Sequence, residues 1–221
     1  MEKLVIIAGT NASGKSGLSI ELALETGAEI ISADSRQVYK GLDLGSGKVT
    51  WEEMKGVPHH LLDVAEPNDF FSLKEYQELA YKAIDDVIAR DRRAYLVGGT
   101  GLYVNAVADG YVLTDAEPDS RLRQKIEAMS SEELVDIIKE KAADELLKLD
   151  LNNKRRLERA AEKVLAGVPA NLPSVPRYET LVLGVTWPRE ILYERIRLRL
   201  LKRLDEGLLD EVRRLRENGA E

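Results

Sequence analysis

Leu4–Ala8 is a run of branched apolar residues with no polar interruption, and it leads directly into glycine-rich sequence. An unbroken run of this length predicts a strand buried on both faces, as in a parallel sheet. Residues 15–26 then switch to helical spacing and stop at Gly27, a residue suited to a left-handed helix end. Glu29–Ala33 predicts a second strand. Tyr95–Val97 predicts a third, ending in Gly98-Gly99-Thr100-Gly101, and Leu181–Val185 a fourth. Between them, Ser72-Leu73-Lys74-Glu75 has the form of a capping box and opens a helix to about Asp91. Strands separated by helices imply right-handed crossovers and a parallel sheet covered on both faces.

The middle of the chain reads differently. From about Asp115 to Gly167 the pattern is charged and helical, with no strand-like run. A second capping box, Ser130-Ser131-Glu132-Glu133, starts one of these helices. Asn171–Pro176 reads as the linker back. From Pro188 the chain predicts one long amphipathic helix, with Leu192, Ile196, Leu200, Leu204 and Leu208 recurring every four residues.

Gly9-Thr10-Asn11-Ala12-Ser13-Gly14-Lys15-Ser16 matches G-x-x-x-x-G-K-[ST] in full, after a strand and before a helix. Small residues let the backbone wrap its N–H groups around phosphate oxygens, and the helix aims its positive end at the same place. Lys15 supplies a point charge and Ser16 a candidate Mg²⁺ ligand. The expected fold is therefore α/β: a P-loop NTPase-like parallel sheet flanked by helices, with a helical insertion. The core covers 1–114 plus 177–221, and the insertion with its linker covers 115–176.

An NTP-hydrolysing site also needs an acid at the end of a hydrophobic strand to hold Mg²⁺. The third strand offers none. The acid at a strand end is Asp34, on the carboxyl edge beside the P-loop. Position alone leaves Asp34 open as a metal ligand, a general base or a helix N-cap.

Four motifs stand in order: Gly9–Ser16, Ser32-Ala33-Asp34-Ser35-Arg36-Gln37-Val38-Tyr39, Gly56-Val57-Pro58-His59-His60-Leu61, and Gly98-Gly99-Thr100-Gly101-Leu102-Tyr103. Together they resemble the tRNA dimethylallyltransferase (tRNA isopentenyltransferase) family. The match is dense over residues 4–111, resumes weakly at Asn152–Ala160, and is clearer at Arg189–Val212. The resemblance implies that the P-loop holds the diphosphate of dimethylallyl diphosphate, with Mg²⁺, and that Arg199 reaches it too. It implies that Asp34 is the general base toward an adenosine amine beside the tRNA anticodon, with Lys15, Thr100 and Arg195 in the reacting group. Ser35, Arg36 and Gln37 then contact the flipped adenosine and its neighbours, alongside Asp34 and Thr100. Arg121, Arg155, Arg156 and Arg159 meet RNA. His59-His60 belongs to the family's core, and Trp187 and Tyr103 read as packing residues.

Composition adjusts this picture. The net charge of −7 argues against nonspecific coating of nucleic acid, although Arg121, Arg123 and Lys125 cluster, as do Lys154, Arg155, Arg156 and Arg159. Arg195, Arg199 and Lys202 are spaced to share a helix face. The chain has no cysteine, which excludes disulfides and thiolate metal sites and fits a reducing cytoplasm. No run approaches ~18 apolar residues, so no membrane span is expected. The expected protein is a cytoplasmic monomer whose partners are tRNA and dimethylallyl diphosphate. Three departures from the family weaken its expected hold on RNA: no basic segment beyond Gly219, a trimmed insertion, and Asn153 where the family has Asp. The competing readings are an adenylate isopentenyltransferase acting on free AMP, ADP or ATP, a small-molecule kinase using ATP, and an inert RNA-binding relic.

Overall fold

A computed structural model describes residues 1–113, 120–147, 149–167 and 174–220. The chain divides into two compact units, one of Met1–Tyr111 with Val175–Glu221 and one of Val112–Ser174. The expected start of the insertion at residue 115 and the linker residues 171–173 lie outside the described residues.

In the first unit, β1 (Lys3–Gly9) leads into α1 (Lys15–Thr26), which ends on Gly27 at φ 68°. Then come β2 (Glu29–Ser32), the short α2 (Trp51–Met54), β3 (His59–His60), α3 (Leu73–Ala89), β4 (Ala94–Gly98) and α4 (Gly101–Ala108). The Ser72–Glu75 capping box forms with both of its bonds. The second unit holds α5 (Ser120–Glu127), α6 (Ser131–Leu146) and α7 (Lys154–Leu165). The chain then returns through β5 (Glu179–Val185), α8 (Arg189–Asp205) and α9 (Leu208–Glu217).

The five strands among the described residues run parallel in the order β3-β2-β4-β1-β5. The two-residue β3 is a fifth strand too short for its pattern to announce. Alternation along β1 divides the core between the sheet's two faces. Leu4 and Ile6 join Ile31 and Leu96 under α3 and α4, where Tyr76, Ala80, Ile84 and Val104 pack. Ile7 joins Ile30, Tyr95 and Val97 under α1, against Ile20 and Ala23. Each such buried branched side chain is worth ~1.5–3 kcal/mol.

Two expectations fail at the far edge. Leu181, Val182 and Leu183 of β5 are exposed, so the sheet is not covered on both faces there among the described residues. The final helix is two helices: Gly207, at φ 102°, breaks it between α8 and α9, and α8 buries none of its residues. No helix among the described residues is long and apolar enough to cross a membrane.

The second unit closes on its own small core of Ile126, Leu134, Ile138, Leu157 and Ala161. Ser130 and Glu133 exchange capping-box bonds at the start of α6.

Candidate active site

The register of β1, β2 and β4 brings the C-terminal ends of these strands to one edge, with Ala8 level with Gly98 and Ser32 with Val97. Three loops follow from it. The first joins β1 to α1. Ala12 at φ 61° and Gly14 at φ 94° turn its backbone, and Lys15 opens α1 nearly buried at 8% exposure. Lys15 Nζ lies 3.4 Å from the Thr10 carbonyl. Burial lowers the Lys15 pKa, Asp34 opposes that shift, and the charge of Arg199 adds to it. Ser13 is buried, and its hydroxyl has no hydrogen-bond partner among the described residues.

The second loop follows β2. Asp34 Oδ1 accepts the backbone N–H groups of Arg36 at 2.9 Å and Gln37 at 3.4 Å. Asp34 therefore caps a tight turn and does not start an α-helix, which removes the helix N-cap from the three readings of this residue.

The third loop follows β4. A side-chain carbon on Gly98 would sit 2.0 Å from the Ala33 carbonyl, so only glycine lets the ends of β4 and β2 close together. Thr100 stands at the N-cap of α4 without capping it. Its Oγ1 accepts the Ser35 N–H at 3.0 Å and donates to the Ser35 hydroxyl at 3.3 Å. Tyr103 stacks on Tyr76 with ring centroids 3.7 Å apart, and the Tyr76 hydroxyl donates to the Ser32 carbonyl. Burial pushes the Tyr103 phenol up to about 12, with Tyr39 and the charge of Asp34 adding. Tyr103 is a packing residue, and a neutral one at ordinary pH.

Helix α8 closes the other side of the β1–α1 loop. Arg195 Nε donates to the Ala12 carbonyl at 2.7 Å, and its guanidinium lies 5.1 Å from the Trp187 ring. The Trp187 indole donates to the Ser13 carbonyl at 2.6 Å. One turn on from Arg195, Arg199 donates to the Gly47 carbonyl at 3.0 Å. A cleft of 540 Å³ results, lined by Gly14, Lys15, Ser16, Arg195 and Arg199, with Ile20, Val49 and Leu198 as its apolar part. Lys15, Lys55, Arg195 and Arg199 line this opening at a helix N-terminus, with Lys55 paired to Glu21 and Glu53 beside it, an arrangement suited to a polyanionic group.

Gln37 Nε2 donates to that same Gly47 carbonyl at 3.3 Å, so its amide is held rather than loose in solvent. Lys202 does not share the arginine face. Its side chain is 69% exposed and pairs with Glu206. Arg203, eight residues after Arg195, presses on Gly47 instead. The spacing 195, 199, 203 was the signal for this stripe. Trp187, expected as a packing residue, is 43% exposed; its indole N–H braces the β1–α1 loop, a contact that no pattern in the sequence marks.

In the second unit Arg121 lies on α5, and Arg155, Arg156 and Arg159 lie on α7, all exposed. Arg123 pairs with Glu162 at 2.6 Å and Lys154 with Glu158 at 3.5 Å. Asn153 caps α7 by accepting the Arg156 N–H at 3.2 Å, a task asparagine and aspartate do equally well. His59 bonds the Val57 carbonyl and His60 bonds Glu29. No group of three or more His, Cys, Asp or Glu side chains suited to a metal is found among the described residues.

Comparison with known proteins gives a consistent picture. The IPP transferase family model matches residues 37–221. The tRNA dimethylallyltransferase of Leuconostoc citreum is 43% identical over 227 aligned residues, covering 100% of this chain and 75% of that protein. That of Anoxybacillus flavithermus is 40% identical, covering 99% and 72%. Among solved structures, the full-length tRNA isopentenylpyrophosphate transferase of Bacillus halodurans aligns with a TM-score of 0.72 at 39% identity, over 100% of this chain and 72% of that one. A eukaryotic dimethylallyltransferase acting on tRNA aligns with a TM-score of 0.84 at 26% identity, over 99% and 56%.

Proposed function

The chain belongs to the IPP transferase family, and from that premise we propose that it transfers a dimethylallyl group from dimethylallyl diphosphate to tRNA. The acceptor is the exocyclic N6 of the adenosine 3′ to the anticodon. The C1–O bond of the donor breaks, its electron pair leaves with the diphosphate, and the N6 lone pair forms the new C–N bond. The proton released from N6 passes to the Asp34 carboxylate.

One observation carries this reading over a phosphoryl transfer. β4 ends in Gly98-Gly99, not in an acid, and the acid whose charge reaches Lys15 is Asp34 at the end of β2. A carboxylate there, tied by its turn to Ser35 and through Ser35 to Thr100, suits proton removal from an amine. Lys15, Arg195 and Arg199 neutralise the departing diphosphate across the cleft. An adenine amine is a poor nucleophile, so holding it in line counts for much of the rate. Gln37 offers the donor and acceptor that an adenine edge requires, with Arg36 and Ser35 beside it. Arg121, Arg155, Arg156 and Arg159 give the second unit phosphate contacts.

The hydroxyl of Ser16 is exposed on the cleft at the first turn of α1. One hydroxyl, diphosphate oxygens and water form an all-oxygen donor set that suits Mg²⁺. When bound, the ion adds positive charge to the leaving group.

The test incubates the protein with labelled dimethylallyl diphosphate and, in parallel, unmodified tRNA, AMP or ATP. Label on tRNA is the expected result. Label on AMP alone would move the acceptor to free nucleotides, and ATP turnover without prenyl transfer would make the protein a kinase.

A further inference from the structure

We propose that Glu211, on α9, is a positioning residue that sets the geometry of the acceptor and donor sides of the site together; the proposal rests on the prenyl-transfer reading for what those two sides bind. Glu211 is 2% exposed, although α9 is otherwise rich in exposed charge. Its carboxylate accepts three consecutive backbone N–H groups. Oε2 takes Asp43 at 3.1 Å and Leu44 at 2.7 Å, and Oε1 takes Gly45 at 2.8 Å. Three successive N–H groups converging on one anion form a nest. Here the anion belongs to the protein itself and arrives from far along the chain.

The loop so held is a rigid device. Gly41 at φ 70° and Gly47 at φ 64° bracket it. The Lys48 N–H donates to the Asp43 carbonyl at 2.9 Å and the Gly47 N–H to the Leu44 carbonyl at 3.2 Å. What it presents is the Gly47 carbonyl, which accepts both the Gln37 amide and the Arg199 guanidinium. Gln37 faces the proposed adenosine, and Arg199 lines the cleft for the diphosphate. Gly47 itself lines that cleft. Glu211 touches neither ligand. It fixes one carbonyl that orients a residue on each side, and charged hydrogen bonds of this kind are the strong ones.

The experiment uses the full chain with Glu211→Gln, which replaces one acceptor oxygen by an N–H facing the loop donors, and Glu211→Asp, which draws the charge back by one methylene. Calorimetric titration with inorganic diphosphate reads the Arg199 side independently of turnover. Steady-state kinetics with tRNA read the Gln37 side. The expected result for Glu211→Gln is a loss of about tenfold in diphosphate affinity and in kcat/KM toward tRNA, with a smaller loss for Glu211→Asp. In an Arg199→Ala background the diphosphate effect of Glu211→Gln should vanish while its tRNA effect persists; in a Gln37→Ala background the reverse should hold. Arg213→Ala, an exposed change on the same helix, should alter neither. Both variants binding diphosphate as the wild type does, additive effects in both backgrounds, or failure of both variants to fold would overturn the proposal. A wild-type protein that binds diphosphate but labels no tRNA would instead overturn the functional reading, leaving the Arg199 arm to decide on Glu211.

Discussion

The hydroxyl of Thr100 accepts the backbone N–H of Ser35 at 3.0 Å and returns a bond to the Ser35 hydroxyl at 3.3 Å, so the loop after β4 holds the loop after β2. Ser35 follows Asp34 directly, and this pair of bonds therefore fixes where the proposed base stands. Thr100→Val keeps the shape and removes both bonds. Turnover should fall about 10–100-fold, because misplacing a reacting group costs rate before it costs binding. Thr100→Ser should retain most of it. Single-turnover rates at saturating tRNA decide the matter, and equal losses in both variants would sink the idea.

Asp34→Asn isolates the proton transfer. Its remaining side-chain oxygen can still accept the Arg36 and Gln37 N–H groups, so the turn should persist. Loss of a general base predicts a fall of about 10²–10⁴ in kcat. Binding of inorganic diphosphate should be unchanged. A parallel fall in diphosphate affinity would show that Asp34 serves a metal instead.

Trp187→Phe keeps a ring beneath Arg195 and deletes the N–H that satisfies the Ser13 carbonyl. One lost hydrogen bond is worth about 0.5–1.5 kcal/mol, so diphosphate affinity should drop roughly two- to thirteenfold. Arg195→Ala should cost more, since it also removes a cleft cation. Both side chains brace the same loop, so the double variant should lose less than the sum. Strict additivity, measured by calorimetry, would separate the two roles.

The core elements were legible because their signals are local. LVIIA before a glycine-rich loop, Gly27 after α1 and the Ser72–Glu75 box each decide a boundary within a few residues. The placement of the Gly9–Ser16 loop after β1 and of Asp34 after β2 was legible for the same reason. The contacts that aim them were not. Arg203, not Lys202, continues the Arg195–Arg199 stripe toward Gly47 because packing, not spacing alone, chooses which side of α8 turns inward. Glu211 reaches a loop more than 160 residues earlier, and nothing near Leu208–Glu217 announces a buried acid. The break at Gly207 was masked by a leucine stripe that continues across it.

The exposed arginines of the second unit make a claim about salt. If Arg155, Arg156 and Arg159 each neutralise one phosphate, each change to alanine should reduce the slope of log affinity against log salt by ~0.7–0.9. The KM for dimethylallyl diphosphate should not move. Filter binding over a salt series tests this, and an unchanged slope in the triple variant would remove these residues from the RNA interface.

Glu29, at the opposite end of β2 from Asp34, makes a claim about acid. Its side chain is 2% exposed, with Arg90 on both oxygens, His60 Nε2 at 2.7 Å and Arg92 at 3.5 Å. The Arg90 hydrogen bonds, aided by His60 and opposed by burial, lower its pKa from 4.5 to about 2. A carboxyl with a depressed folded-state pKa contributes stability that is complete above the unfolded value. That stability is lost as pH falls through the folded one, so the loss should run from about pH 4.5 down to about pH 2. The shift corresponds to at most ~3 kcal/mol, trimmed because Arg90 is 43% exposed and partly screened by solvent. Glu29→Gln should lower stability at neutral pH, where Arg90 loses its buried partner and keeps only the exposed Asp86 at 3.3 Å, and flatten the acid limb of the curve. Urea midpoints measured between pH 6 and about pH 2.5 read both effects. If the two proteins gave parallel curves, the acid sensitivity of the fold would lie elsewhere than in this carboxylate.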